Sequence, residues 1–339
     1  MGGRRRAVIR GTGLHAPGDP IPNEVFNERY GMDVDAFLRE NRNIRQRHFM
    51  AADQATSDLV VPAARQALAE AGIGPEDLDL VIVATDTPDY ISPSTASVVQ
   101  HKLGAVKAGT FDVNTACAGF VTVLDMVWKY IVADPAYEHI LIAGAYGMSK
   151  YLDMDDYKLA TLFADGAGAA VVSACEVHQC GTEGVMASEL YAEGSFHDYM
   201  GIYAGGTYMP ATPAALEGKH HRLQFVKKFP AETNPKHWPR LIRSVLNRIG
   251  KAPSDVDRYF FTQVNIASIN ETLRLLGVPE DRSHNVMDRF AYTGSACIPM
   301  AMADAADQGL LHEGDLVVLM GSGGGMAMAA LALEWGYDT

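Results

Sequence analysis

Cys117 stands in the run Phe111-Asp-Val-Asn-Thr-Ala-Cys-Ala-Gly-Phe120. An extended apolar stretch, residues 109–113, passes there through small residues into an apolar helical stretch, residues 121–132. A cysteine on such a strand-to-helix bend faces the unpaired N–H groups of a helix start. Those groups favour a thiolate, and the adjacent amides can hold a developing oxyanion. The implied chemistry is nucleophilic attack on an acyl carbonyl, leaving a thioester on Cys117. Cys175, Cys180 and Cys297 sit on no such bend and read as structural. The glycine run Gly321-Ser-Gly-Gly-Gly325 lacks the βαβ context of a dinucleotide loop. It reads instead as a tight turn beside the active centre.

The elements that must position Cys117 alternate between strand and helix. Residues 6–13 read as a first strand. Residues 22–50 read as helical and then basic, with Arg39, Arg42, Arg45 and Arg47 close together. An amphipathic helix over 55–72, a buried strand over 80–84 and a helix over 94–103 follow. The strand into Cys117, its helix and a strand over 139–143 complete the unit. The alternation implies an α/β architecture.

The chain also repeats itself. Residues 72–79, Gly-Ile-Gly-Pro-Glu-Asp-Leu-Asp, match 250–257, Gly-Lys-Ala-Pro-Ser-Asp-Val-Asp. Lys102-Leu-Gly104 answers Leu275-Leu-Gly277, and the run from Ile140 to Gly144 answers that from Val317 to Gly321. Three matches in order at nearly one offset imply two copies of one unit, residues 1–183 and 184–339. Under that offset Cys117 corresponds to Tyr292, and the strand end Ala84-Thr85 to Thr262-Gln263. Equivalent strand ends meet near a pseudo-twofold axis, so residues 117, 262 and 292 become candidates for one shared centre.

The formal charge of −13 argues against non-specific nucleic-acid binding. The basic N-terminus, Met-Gly-Gly-Arg-Arg-Arg, is followed by no apolar signal region, and no apolar run is read as approaching the ~18 residues of a membrane span. Four scattered cysteines without a CxxC pair suggest neither a disulfide framework nor a zinc centre. A cytoplasmic protein without a bound metal is the expectation.

The motif around Cys117 resembles the nucleophile motif of the β-ketoacyl-acyl-carrier-protein synthase III family, within the thiolase superfamily. Pro93-Ser-Thr-Ala-Ser97, Phe163-Ala-Asp-Gly166 and Gly321-Ser-Gly-Gly-Gly325 resemble further family motifs in family order. The resemblance spans nearly the whole chain. It implies a duplicated five-layered αβαβα thiolase fold, a homodimer and acylation of Cys117 by an acyl-CoA or acyl-carrier-protein donor, with no permanently bound cofactor. It further implies an oxyanion hole from the amides of Cys117 and of Gly324 or Gly323. Phe37, Arg42 and Asn265 fall at positions that contact the donor, and Ser92 and Phe163 at the acyl tunnel.

The family's catalytic histidine and asparagine are absent. Thr262 replaces the histidine in Thr262-Gln-Val-Asn265, and Tyr292 replaces the asparagine in Tyr292-Thr-Gly-Ser295. In the family these two groups hold the thioester oxygen of a malonyl unit while CO2 leaves. Thr and Tyr hydroxyls can donate, but neither is a good base near neutral pH, and losing one oxyanion donor costs ~10²–10³ in rate. Acylation of Cys117 needs neither group. The expectation is therefore an acyltransferase that passes the acyl group from Cys117 to an alcohol, amine or reactive carbon in specialised metabolism. The alternatives are decarboxylative condensation with Thr262 and Tyr292 as donors, or a non-catalytic partner subunit. Residues 219–251 hold nine Lys or Arg against one acid. Lys236, Arg240 and Arg243 are read as a docking surface for an acidic carrier protein at the tunnel mouth.

Overall fold

The strands expected around Cys117 form one mixed sheet in the computed structural model, which describes residues 5–338. The basic residues 1–4 and Thr339 lie outside the described residues. Five strands build this first sheet: β1 (Arg5–His15), β2 (Leu80–Ala84), β3 (Gly109–Val113), β4 (His139–Gly147) and β5 (Asp165–Glu176). Their order is β1-β5-β4-β2-β3, with β2 parallel to both β3 and β4.

A second sheet repeats this plan. It contains β6 (Gly184–Ala192), β7 (Arg258–Phe261), β8 (Leu316–Gly323) and β9 (Ala327–Glu334), in the order β6-β9-β8-β7. Leu80 faces Ile140 in the first sheet, and Arg258 faces Val317 in the second. The two pairs differ by nearly the offset read from the sequence. The counterpart of β3 shrinks to a single parallel bridge between Tyr259 and Ser283.

Side-chain alternation sorts the layers. On β2, Leu80, Ile82 and Ala84 face the interior between the sheets, whereas Val81 and Val83 face outward onto helices α1 (Thr56–Ala71) and α2 (Thr95–Leu103). The interior layer is α3 (Gly119–Ala133) and, later in the chain, α6 (Cys297–Asp307). Helices α4 (Thr233–Arg248) and α5 (Ile266–Leu276) cover the outer face of the second sheet. The result is the αβαβα layering that was expected.

Glycines let the central helices approach. A Cβ on Gly144 would meet the Ser295 carbonyl at 2.2 Å, and one on Gly168 the Met300 amide at 2.5 Å. The stretch Ala116–Ala133 corrects the reading that no apolar run reaches spanning length. Its 18 residues are apolar enough to cross a bilayer by composition, yet 56 % of them are buried in the molecule. Packing between two apolar sheets demands that composition.

Candidate active site

The bend before α3 is held in a strained shape. Ala116 adopts a φ of 46°, uncommon for a residue with a side chain. The Asn114 side chain accepts the Ala116 N–H at 3.0 Å, and the Gly119 N–H closes on the Ala116 carbonyl at 2.9 Å. Cys117 is thereby placed at the α3 start, only 3 % exposed. The turn between β8 and β9 presses against it. A Cβ on Gly323 would lie 2.6 Å from the Cys117 amide nitrogen and 2.7 Å from the Thr115 carbonyl. Only glycine fits there, and Gly323 and Gly324 line the same cavity of about 330 Å³ as Cys117. The expected oxyanion donors are therefore gathered around one space.

Tyr292 arrives from the second half. Its N–H donates to the Leu162 carbonyl at 3.1 Å, and its own carbonyl accepts the Ala164 N–H at 2.9 Å. Its ring centroid lies 5.3 Å from that of Phe163 and 6.4 Å from that of Tyr146. These ties set the hydroxyl beside the Cys117 thiol, where a hydrogen bond from it favours the thiolate. Residues 117 and 292, equivalent under the repeat offset, line one cavity. Burial pushes the Tyr292 hydroxyl well above its ordinary range, with the Cys117 thiol adding to the effect; the phenol stays a neutral donor.

The thiol corrects an expectation. Its position at a helix start was read as favouring the thiolate, but burial pushes Cys117 well above the ordinary thiol range. The neighbouring Asp86 carboxylate raises it further, while the Tyr292 hydroxyl opposes both. The helix-terminal advantage is outweighed by desolvation of the charge. Cys117 is a thiol that must be deprotonated during reaction.

Thr262, the other residue expected beside Cys117, stands apart from the cavity. It is 1 % exposed and does not line the cavity. Its hydroxyl oxygen accepts the Ser322 N–H at 2.8 Å. It holds the strand that carries the glycine turn, and the cavity wall behind Cys117 is Ser322 itself.

Other expected residues divide. Phe163, Arg42 and Asn265 line the cavity. The Asn265 side chain also caps α5 by accepting the Ala267 N–H at 3.1 Å. Phe37 is 55 % exposed beneath the Arg42 guanidinium, which lies 5.7 Å over its ring, and stays outside the cavity. Ser92 is exposed on the loop between β2 and α2 and is not part of the wall. That loop leaves the sheet outward, with Ile91 83 % exposed. Lys236, Arg240 and Arg243 lie on the outer surface of α4. Arg240 pairs with Glu189 at 3.6 Å, and Arg243 donates to the Leu275 carbonyl. None of the three reaches the cavity, because the buried stripe of α4 turns them toward solvent. The cations at the wall are Arg42 and Lys228. Arg47 serves the fold, buried over the Phe26 ring at 4.6 Å and donating to Asn23 and the Thr161 carbonyl.

Two groups near Cys117 escaped the sequence reading. Cys297 was placed on no bend, yet it opens α6, buried near Cys117 and Tyr292; burial pushes its thiol up to about 12. Asp86 follows β2 inside the polar run Thr85-Asp-Thr-Pro-Asp89, which reads as solvated loop. Its place just past the end of a buried strand was the available signal. Among the described residues, no cluster of His, Cys, Asp and Glu is arranged to hold a metal ion.

Comparison with known proteins agrees with this architecture. Residues 111–194 match the model of the 3-oxoacyl-[acyl-carrier-protein] synthase III family, and residues 246–335 match the model of its C-terminal part. The chain is 34 % identical to the β-ketoacyl-[acyl-carrier-protein] synthase III of Symbiobacterium thermophilum over 97 % of its own length and 99 % of that protein. It is 36 % identical to an acetoacetyl CoA synthase of Streptomyces sp., over 97 % of this chain and 99 % of that one. The crystal structure of 3-oxoacyl-(acyl carrier protein) synthase III from Pseudomonas aeruginosa superposes with a TM-score of 0.88 at 31 % identity, covering 98 % and 99 % of the two chains.

Proposed function

Because the chain belongs to the 3-oxoacyl-[acyl-carrier-protein] synthase III family, we propose that it loads an acyl group onto Cys117 and passes it to an acceptor other than a malonyl thioester. In the first step Sγ of Cys117 bonds to the carbonyl carbon of an acyl-CoA or acyl-carrier-protein thioester, and the donor thiol leaves. The amides of Cys117 and of the Gly323-Gly324 turn face the oxyanion. Arg42 and Lys228 meet the donor's phosphates at the cavity wall. In the second step an alcohol, amine or carbon nucleophile takes the acyl carbon and releases Cys117.

The observation that carries this reading is the fate of the two replaced donors. Thr262 lies outside the cavity, its oxygen accepting the Ser322 N–H, and the Tyr292 hydroxyl lies beside the Cys117 thiol. At the two family donor positions a malonyl enolate would find neither histidine nor asparagine, whereas acylation keeps its parts. A role in specialised metabolism, a homodimer, a cytoplasmic location and a division of the halves at Gly184 belong to the same proposal.

A second reading is favoured by the full-length likeness to an enzyme named for acetoacetyl-CoA synthesis. In it Tyr292 turns its hydroxyl from sulfur to the malonyl oxygen once Cys117 is acylated. Charging the protein with acyl-CoA, then adding either malonyl-CoA or a panel of alcohols and amines, separates the two. Loss of the acyl mass with an alcohol or amine supports the first reading. Loss only with malonyl-CoA, with a β-ketoacyl product, supports the second.

A further inference from the structure

Cys117 must lose a proton as it attacks, and the departing thiol must gain one, yet no histidine is among the residues lining the cavity. Two histidines in the vicinity of the first half's loops and of α6 are held elsewhere: Nδ1 of His48 by the Pro17 carbonyl, and Nε2 of His284 by Asp304. One carboxyl, Asp86, lies beside Cys117, although it too is outside the residues that line the cavity. Leu80, Ile82 and Ala84 point from β2 into the central layer, and Asp86 sits in the bend that follows, beside Cys117 and Tyr146. Ala84 pairs with Val113 on one flank and with Gly144 on the other. The neighbouring strand ends therefore deliver the Cys117 bend and Tyr146 to either side of Asp86.

One of its two oxygens is unengaged there, in a residue that is half-buried overall. Asp86 Oδ1 is sealed from solvent and accepts no hydrogen bond. Among the described residues, the titratable groups facing it are Cys117, Tyr146 and Tyr151, and no cation offsets its charge. A buried carboxylate oxygen without a partner is costly to keep. Such a group fits a role in which a proton arrives during the reaction.

We propose that Asp86 is the proton acceptor of the Cys117 centre, acting directly or through one water. It takes the S–H proton as Sγ bonds to the acyl carbon. It returns that proton to the donor sulfur as the old C–S bond breaks. In the second step it takes the proton from the acceptor O–H or N–H and gives it to the Cys117 sulfur as that leaves. The inference rests on the reading that Cys117 is acylated. Burial lifts the Asp86 carboxyl to about 6, so its basic form is present at neutral pH.

Asp86 also disfavours the thiolate by its charge, and the two effects can be told apart. In Asp86→Asn, alkylation of Cys117 by iodoacetamide at neutral pH speeds up several-fold, because only the thiolate fraction matters. Acylation of the same variant by an acyl-CoA slows by about 10²-fold, the scale of general base catalysis. In the wild type the acylation rate rises with pH through about 6, the ionisation of Asp86. Asp86→Glu restores part of the acylation rate. If acylation of Asp86→Asn accelerates together with alkylation, or if the wild-type rate shows no rise in that range, Asp86 is not the acceptor. If no acyl thioester charges wild-type Cys117, the acyl-transfer reading itself fails and this inference falls with it.

Discussion

Replacing Tyr292 with Phe removes one hydroxyl and leaves the ring contacts to Phe163 and Tyr146, whose centroids lie 5.3 and 6.4 Å away. What is lost is the hydrogen bond that favours a Cys117 thiolate against burial and Asp86. A hydrogen bond to a charged partner contributes about 1.5–3 kcal/mol. Losing it raises the thiol further above its ordinary range, at about 1.36 kcal/mol per tenfold change in ionisation. Below the thiol pKa, the thiolate fraction falls by about 10–100-fold. The assay is the rate of iodoacetamide alkylation of Cys117 from about pH 6 to about pH 10, with peptide masses separating Cys117 from Cys297. The expected profile for Tyr292→Phe shifts to higher pH with little change in Tm. Profiles that superimpose on the wild type, or alkylation that speeds up, would refute the role of this hydroxyl.

Three further outcomes are expected. Thr262→Val leaves the buried Ser322 N–H without its acceptor and costs about 1–3 kcal/mol of stability in urea unfolding; because Thr262 touches no cavity, the KM for the acyl donor stays near wild type. Arg42→Ala with Lys228→Ala raises the KM for an acyl-CoA several-fold, and the gap narrows as salt screens the phosphates; an unchanged KM would remove both from the donor path. Asp304 carries a pH signature. Burial pulls its carboxyl upward, but the hydrogen bonds and charges of His284 and Arg289 outweigh this and hold it at about 2. Since the ordinary value is 3.8, its contribution to stability is full above that value and is lost as pH falls through about 2. The Tm difference between wild type and Asp304→Asn therefore shrinks over that interval, and a constant difference would contradict the assignment.

The parts of this molecule that follow from local pattern were readable. Residues 80–84 and 139–143 are apolar runs between turn signals, and the repeat offset foretold that Leu80–Ile140 and Arg258–Val317 pair alike. The offset also joined Tyr292 to Cys117 before any geometry was known. What stayed hidden depends on where a side chain points once the layers close. The Thr262 hydroxyl could have faced substrate, and only the adjacent β8 shows that it meets the Ser322 amide instead. Lys236, Arg240 and Arg243 have the right charge for docking, but the helical phase of α4 sends them away from the cavity. Asp86 was the opposite error. Its polar neighbours suggested solvent, whereas the bend after β2 sets it beside Cys117 and Tyr146. Desolvation of Cys117 was also invisible, because it arises from both halves together.

The central claim is that Cys117 is acylated and that its acyl group leaves without malonyl decarboxylation. Intact mass spectrometry of the protein incubated with acyl-CoA, chased with malonyl-CoA labelled in its free carboxyl, tests both clauses at once. The account predicts a mass gain that disappears in Cys117→Ala and survives the malonyl chase with no labelled CO2. Labelled CO2 released with a β-ketoacyl product, dependent on Cys117, would contradict it.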